Sequence, residues 1–217
     1  MQKKIKSYSE AELIEMFGLK RLSGNAKHPL MQEWTSATVT LAEWEQHLFK
    51  SISDNLADQI VGWNEETLKM NLIAFVLKLG HIEETPEYRK FYEETIEATV
   101  SGHFLKVKTD MMVAKGILDK PKIPYLYFQE YKRMKDPSGD VSAQLLEALL
   151  IAQEKNKNDK PMYGCTIIGK FWDFMVLEGK NYCFSKTYDC TEPDDLMQII
   201  AILQKFKWIL ETRLLPQ

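Results

Sequence analysis

The chain has 217 residues, of which 45% are hydrophobic and 27% are charged, an ordinary balance for a globular protein with a sizeable core. Its formal net charge of −3 argues against a protein dedicated to tight, unassisted nucleic-acid binding, because such proteins usually carry a basic excess. No apolar run reaches the ~18 residues of a membrane span, so we expect no membrane partner. The basic first six residues are not followed by an apolar stretch, so we expect no signal peptide. The three cysteines form no CxxC pair, which indicates reduced thiols in a cytoplasmic protein.

The N-terminal part of the chain has helical patterns. Residues 9–17 predict a short helix capped by Ser9, and residues 24–29 predict a loop. A longer helix is expected over residues 41–61, with Thr40 as cap and Trp44 on its apolar stripe. We interpret residues 1–62 as a helical extension of an α/β domain formed by residues 63–217, the two making one compact unit. That domain begins with a helix over residues 65–79, which Asn64 caps and whose apolar stripe includes Phe75.

From residue 100 the apolar pattern changes to the period of two that is typical of strands. Lys106, Lys108 and Asp110 then share one face unless a break near residues 102 or 108–109 divides the stretch into two strands. Residues 115–124 predict a turn or loop, and residues 125–133 a strand. A helix is then expected from residue 140 or 142 to about residue 154. It is followed by three strands, at 163–168, 171–178 and 182–185, and by a last helix that ends near residue 213. This order predicts an α/β fold with a mixed β-sheet flanked by α-helices.

One pattern has the chemistry of a metal site. Glu130 and Lys132 are two residues apart in a predicted strand, so their side chains leave the same face. Asp110 would come from the neighbouring strand, and the carbonyl of Tyr131 could add an oxygen ligand. Carboxylates that hold Mg²⁺ against a phosphate would lower the pKa of a bound water and neutralise developing charge. The alternative is a solvated charged pair on an exposed strand face, since such pairs are common in proteins.

Several runs of sequence carry a resemblance to a known family. They are WNEETLKM at 63–70, FYE at 91–93, YFQEYK at 127–132, DVSAQLL at 140–146, YGCTIIGK at 163–170 and LEGK at 177–180. With them, residues 9–209 resemble a small Bacteroides-type family of the PD-(D/E)XK nuclease superfamily. That family is similar to the N-terminal nuclease domain of type I restriction R subunits.

The resemblance implies a restriction-endonuclease-like fold and a nuclease that cleaves DNA with Mg²⁺ or Mn²⁺. It assigns metal binding to Asp110, Glu130 and the Tyr131 carbonyl, and further catalytic roles to Lys132 and Gln144. A glutamate on the first helix would complete the site, either Glu65, which lies on the apolar stripe, or Glu66.

Several alternatives stay open. Either glutamate could simply favour the dipole of its helix. Val141 and Ala143 stand where the family would have proline and glycine, which could move the turn before Gln144. A catalytically inactive binding or assembly module of the same fold is the alternative function, and a homodimer is a further partner to consider. Trp172 and Phe174 are either a base-stacking platform or core residues. The four histidines have no metal-ligand spacing.

Overall fold

A computed structural model describes residues 7–23, 28–132 and 140–215. Its main feature is a mixed sheet that has eight strands in the described part of the chain, with a separate two-stranded hairpin beside it. The predicted α/β architecture with a mixed sheet is therefore confirmed. The strands of the two sheets are β1 (Lys20–Leu22), β2 (Arg89–Tyr92), β3 (Thr95–Val100), β4 (His103–Lys108), β5 (Met111–Ile117), β6 (Lys120–Lys132), β7 (Met162–Ile168), β8 (Phe171–Glu178), β9 (Asn181–Phe184) and β10 (Tyr188–Asp189).

Helices cover both faces of the main sheet. They are α1 (Glu10–Phe17), α2 (Pro29–Thr35), α3 (Glu43–Ser53), α4 (Leu56–Ile60), α5 (Glu65–Leu68), α6 (Ala74–Leu79), α7 (Val141–Asn156) and α8 (Pro193–Ile209). A π-helical turn, Lys69–Ile73, makes α5 and α6 one continuous helical segment, and a second, Leu210–Leu214, extends α8.

The strand order is β1-β9-β8-β7-β6-β5-β2, with β10 paired to β8 outside this path. Strands β6 and β7 are parallel and are connected through α7, whereas β5 and β6 form an antiparallel hairpin. The apolar core is divided by the sheet into two clusters. One cluster includes residues of α2, α6 and α8, and the other includes residues of α1, α7 and the β3–β4 hairpin. Strand β6 lies inside the sheet, so its C-terminal end is enclosed by both layers.

The N-terminal 62 residues take part in both clusters. Leu13 and Phe17 of α1 pack on the α7 side, and Met31 and Trp34 of α2 pack on the other. The indole nitrogen of Trp34 donates to the carbonyl of Ile202 at 2.8 Å. Strand β1 adds a parallel edge to the main sheet next to β9.

One predicted helix and one predicted loop differ in extent from the structure. The helix expected over residues 41–61 is broken into α3 and α4, because Asn55 adopts a left-handed φ of 62° that a helix cannot continue through. Trp44 is 50% exposed and Ala42, not Thr40, precedes the helix. The loop expected at 24–29 falls partly outside the described residues, and Pro29 already begins α2.

The turn expected at residues 115–124 is instead mostly strand. Strands β5 and β6 continue their pairing as far as Ile117 and Lys120. Pro121 and Pro124 lack an amide donor, but this part of β6 extends beyond the pairing with β7, which starts at Tyr127. Prolines are tolerated where one side of a strand has no partner.

Candidate active site

Asp110 lies at the point where the β4–β5 stretch bends and the β5–β6 hairpin begins. The predicted break is present: β4 ends at Lys108, and Thr109 is buried and donates its backbone amide to the carbonyl of Glu94 at 2.8 Å. Pairing of β5 with β6 starts at Met111 and Gln129. The backbone amide of Tyr131 then donates to Oδ2 of Asp110 at 2.6 Å. This bond holds the Asp110 carboxylate over the end of the ladder.

Glu130 is a buried carboxyl group beside Asp110. Its side chain is 1% exposed, and Oε1 has no hydrogen-bond partner among the described residues. Burial raises the pKa of Glu130 well above its usual range, and the negative charge of Asp110 raises it further. Burial also raises the pKa of Asp110, against the opposing effects of the Tyr131 amide and Lys132. The two acids therefore form a coupled pair that does not readily carry two negative charges.

Lys132 on β6 acts on this pair through its charge, and Gln144 lies on the helix that packs against β6. The positive charge of Lys132 lowers the pKa of both carboxyl groups, which places its ammonium close to them. Gln144 lies in the first turn of α7, the helix that packs on β6, and its Oε1 is a buried acceptor without a partner in the described structure. Val141 and Ala143 are compatible with this helix start, because Asp140 caps it by accepting from the Ala143 amide at 2.9 Å.

The two glutamates that the sequence left open occupy different positions. Glu65 raises the pKa of Asp110 through its charge, whereas the Glu66 side chain is 78% exposed. Glu65 is therefore the first-helix acid closer to the carboxyl pair. Its carboxylate is held by the ammonium of Lys69 at 2.9 Å, one helical turn further along.

Lys69 is the charged residue of this region that the sequence analysis missed. Its ammonium also approaches Glu66 at 3.2 Å and Glu93 at 3.4 Å and lies 5.7 Å from the centre of the Tyr131 ring. Burial alone would lower the pKa of Lys69, but the bonds to Glu65 and Glu66 outweigh it and raise that pKa. The spacing of four residues between Glu65 and Lys69 was the available signal.

The predicted alignment of Lys106 and Lys108 with Asp110 holds only in part. Because strand β4 ends at Lys108, both lysines belong to the β3–β4 hairpin and not to β5. Lys106 pairs with Glu97 at 2.7 Å. Lys108 pairs with Glu93 and remains close enough for the charge of Asp110 to act on it.

A cleft with a volume of about 500 Å³ opens beside Asp110. The segment from α5 to α6 forms one wall, and Tyr92 and Glu93 at the end of β2 form the other. Asp110 and Tyr131 lie at its inner end. Asp110 is thus next to a space within the ~300–1,000 Å³ that is typical of small-molecule pockets.

The site offers few protein groups that could bind a metal ion. Within residues 7–23, 28–132 and 140–215, no three His, Cys, Asp or Glu side chains are grouped closely enough to hold an ion. Asp110 and Glu130 nevertheless offer carboxylate oxygens, and Oε1 of Glu130 is buried with no partner in the described part of the chain. Mg²⁺ is commonly held by one or two carboxylates with waters and substrate phosphates, so this donor set fits such an ion.

The two aromatic residues considered for base stacking and the three cysteines are buried in the core. Trp172 and Phe174 are both completely buried, so the base-stacking alternative for them is wrong. The three cysteines are buried.

Comparison with known proteins does not identify a family. The chain matches no protein-family model, and no curated protein is significantly similar to it. None of the helices in the described ranges combines the length and apolar character that a membrane crossing requires.

Proposed function

We propose that the protein is a Mg²⁺-dependent nuclease that hydrolyses phosphodiester bonds in DNA. The observation that carries the proposal is the pair formed by half-buried Asp110 and buried Glu130 beside Lys132, in which one Glu130 carboxylate oxygen has no partner among the described residues. Buried acids whose pKa values are raised are typical of catalytic and metal sites, where an ion or substrate supplies the missing partner. The sequence pattern of acid, acid-x-lysine and glutamine supports the same function.

A divalent cation would remove the cost of burying two carboxylates together. Burying an isolated charge costs several kcal/mol even after the protein relaxes. A divalent cation between the two carboxylates would offset this cost. Asp110 and Glu130 would bind the ion, with the Tyr131 carbonyl as a third oxygen. Gln144 offers a further buried acceptor near the start of α7, suited to a water molecule.

The bound ion would polarise the phosphate and lower the pKa of a bound water. The protein residues supply positioning and charge. The Tyr131 amide orients Asp110, and β6 presents Glu130 and Lys132 on one face. Lys132 then stabilises the negative charge that develops on the phosphate oxygens. Glu65 pairs with Lys69 in the cleft, and its negative charge raises the pKa of Asp110.

Metal-dependent cleavage of linear and nicked DNA by the purified protein tests the proposal. Asp110→Asn, Glu130→Gln and Lys132→Met should each reduce the cleavage rate at least about a hundredfold, the range for losing a positioned charged group. Asp110→Asn keeps an oxygen that can accept from the Tyr131 amide, so the ladder should remain intact.

Glu147→Gln is the matched control, because Glu147 is a buried glutamate on α7 whose partner is the backbone amide of Lys106, not a site residue. Cleavage that survives Asp110→Asn and Glu130→Gln would contradict the proposal.

A binding or assembly module of the same fold is the second candidate function. The small number of protein ligands favours it, since two carboxylates are the minimum for the proposed chemistry. Mn²⁺ titration followed by calorimetry separates the two. Metal binding that Glu130→Gln abolishes supports the nuclease, whereas a protein that binds DNA but no metal is the inactive module.

A further inference from the structure

The cleft beside Asp110 has a chemical character different from that of a phosphate site. Its cation, Lys69, is surrounded by the carboxylates of Glu65, Glu66 and Glu93 at 2.9, 3.2 and 3.4 Å. Lys69 therefore has no free charge to offer to an anion. A phosphate placed here would meet three glutamates and Asp110, so the part of a ligand that enters the cleft is not an anion.

The rest of the cleft is apolar and aromatic. Met70 is 67% exposed and Tyr92 is 53% exposed, although both side chains are large and apolar. Ile73, Ala74 and Leu77 continue the wall on the helical side, and the ring of Tyr131 lies at the inner end. Exposed apolar surface of this kind is stabilised when a ligand covers it. A flat ring that stacks on the Tyr92 phenol would cover the most area.

The position of the cleft limits what that ring can belong to. Asp110 lines the cleft and is also part of the carboxyl pair, so a group in the cleft is adjacent to the group being attacked. In a nucleic acid the planar, uncharged group next to a phosphodiester is the base.

We propose that the cleft binds one unpaired nucleobase and that the protein therefore prefers single-stranded nucleic acid, or strand ends that fray, to intact duplex. This inference rests on the proposed function for its phosphate site. A base in duplex is stacked and paired, and it could enter the cleft only after it is unstacked, which costs a few kcal/mol. The acidic lining repels phosphates, and a duplex brings a second phosphate backbone towards it, which adds to this preference.

Fluorescence anisotropy with a short labelled oligothymidylate, compared with a blunt hairpin duplex of the same length, tests the proposal. The measurement uses the full chain with Ca²⁺ as the ion, and its readout is binding. Wild type should bind the single strand more tightly. Tyr92→Ala should weaken single-strand binding about 5- to 100-fold, which is the range for losing one base–aromatic stack. Tyr92→Phe keeps the ring and should bind like wild type.

Phe104→Ala is the control, because Phe104 is an aromatic residue of similar exposure, 58%, on β4 and outside the cleft. It should not change the affinity. A further set of oligothymidylates carries a single abasic position at successive places along the strand. At one of these places wild type should lose as much affinity as Tyr92→Ala loses on the intact strand, and Tyr92→Ala should lose no further affinity there.

Equal affinity for duplex and single strand, no measurable single-strand binding, or equal losses in Tyr92→Ala and Phe104→Ala would overturn the base-binding proposal. The proposed nuclease activity fails in a different way. Single-strand binding that depends on Tyr92 without any metal-dependent cleavage would leave the base site standing and remove the nuclease. Cleavage that depends on Asp110 but not on Tyr92 would do the reverse.

Discussion

Replacing Glu147 with glutamine should stabilise the protein at alkaline pH and have a much smaller effect in acid. Glu147 lies on α7, is 3% exposed, and accepts a hydrogen bond from the backbone amide of Lys106 at 3.2 Å. Burial raises the pKa of this carboxyl from 4.5 to about 7, although the amide bond opposes the shift. The folded state therefore favours the neutral acid, and ionisation weakens the packing of the β3–β4 hairpin on α7.

The sign and size of the effect follow from linkage. Because the folded pKa lies above the unfolded value, the stability that Glu147 contributes is fully present below about pH 4.5 and is lost as the pH rises through about 7. The loss relative to the protonated state is about 1 kcal/mol at about pH 5 and up to about 3 kcal/mol at about pH 8. Glutamine keeps an acceptor for the Lys106 amide and has no charge to lose.

Urea unfolding of wild type and Glu147→Gln at both pH values measures the difference. The variant should gain about 2 kcal/mol of unfolding free energy relative to wild type between about pH 5 and about pH 8. In a thermal scan this corresponds to about 4–8 °C for a chain of this size. Carboxyl groups elsewhere titrate in both proteins and cancel. An equal stability difference at the two pH values would refute the account of Glu147.

Other changes test further features. Glu130→Gln should raise the unfolding free energy of the metal-free protein at about pH 8, because burial disfavours ionisation of Glu130 in the folded state but not in the unfolded chain. It should also abolish the extra thermal stability that Mg²⁺ or Mn²⁺ gives wild type. A variant that keeps this metal response would contradict the site. Gly164→Ala should destabilise by about 1–3 kcal/mol in urea unfolding, since a Cβ there would lie 2.6 Å from Cδ1 of Leu145 on α7. Asn55→Ala should lower the unfolding free energy by about 1 kcal/mol, since Asn55 has a left-handed φ of 62°. Asn55→Gly is the control and should lower it less, because glycine adopts this conformation readily.

Local patterns were sufficient where one element decides the outcome. The caps of α1 and α5, Ser9 and Asn64, were predicted and each accepts a hydrogen bond from its helix. The hairpins of β7, β8 and β9 follow short polar turns, and Gly179 has the positive φ of 58° that its turn requires. The pairing of Asp110 with the Glu130 strand was also inferred from spacing, because consecutive strands of opposite direction usually pair.

Long-range packing decided what the patterns could not. The π-helical turn at Lys69–Ile73 shifts the helical register, which leaves Phe75 42% exposed although the regular period predicts it on the apolar stripe. Lys106 leaves the site because the chain bends at Thr109 and pairs β4 with β3. Lys69 enters it because the segment from α5 to α6 lies across the cleft from the end of β2, with Glu93 within 3.4 Å of the Lys69 ammonium.

The sequence by itself determined the class of fold, the strand that carries Glu130 and Lys132, and the chemistry that this pair can support. These properties depend on periodicity and residue type within a few neighbouring positions. Only the tertiary structure decided that Glu130 is buried beside Asp110, that the charge of Glu65 acts on Asp110, and that a cleft with acidic and apolar lining lies next to Asp110. The reason is physical: pKa shifts, unpartnered oxygens and cleft shape arise from desolvation by elements far apart in the chain, and no local pattern encodes that desolvation.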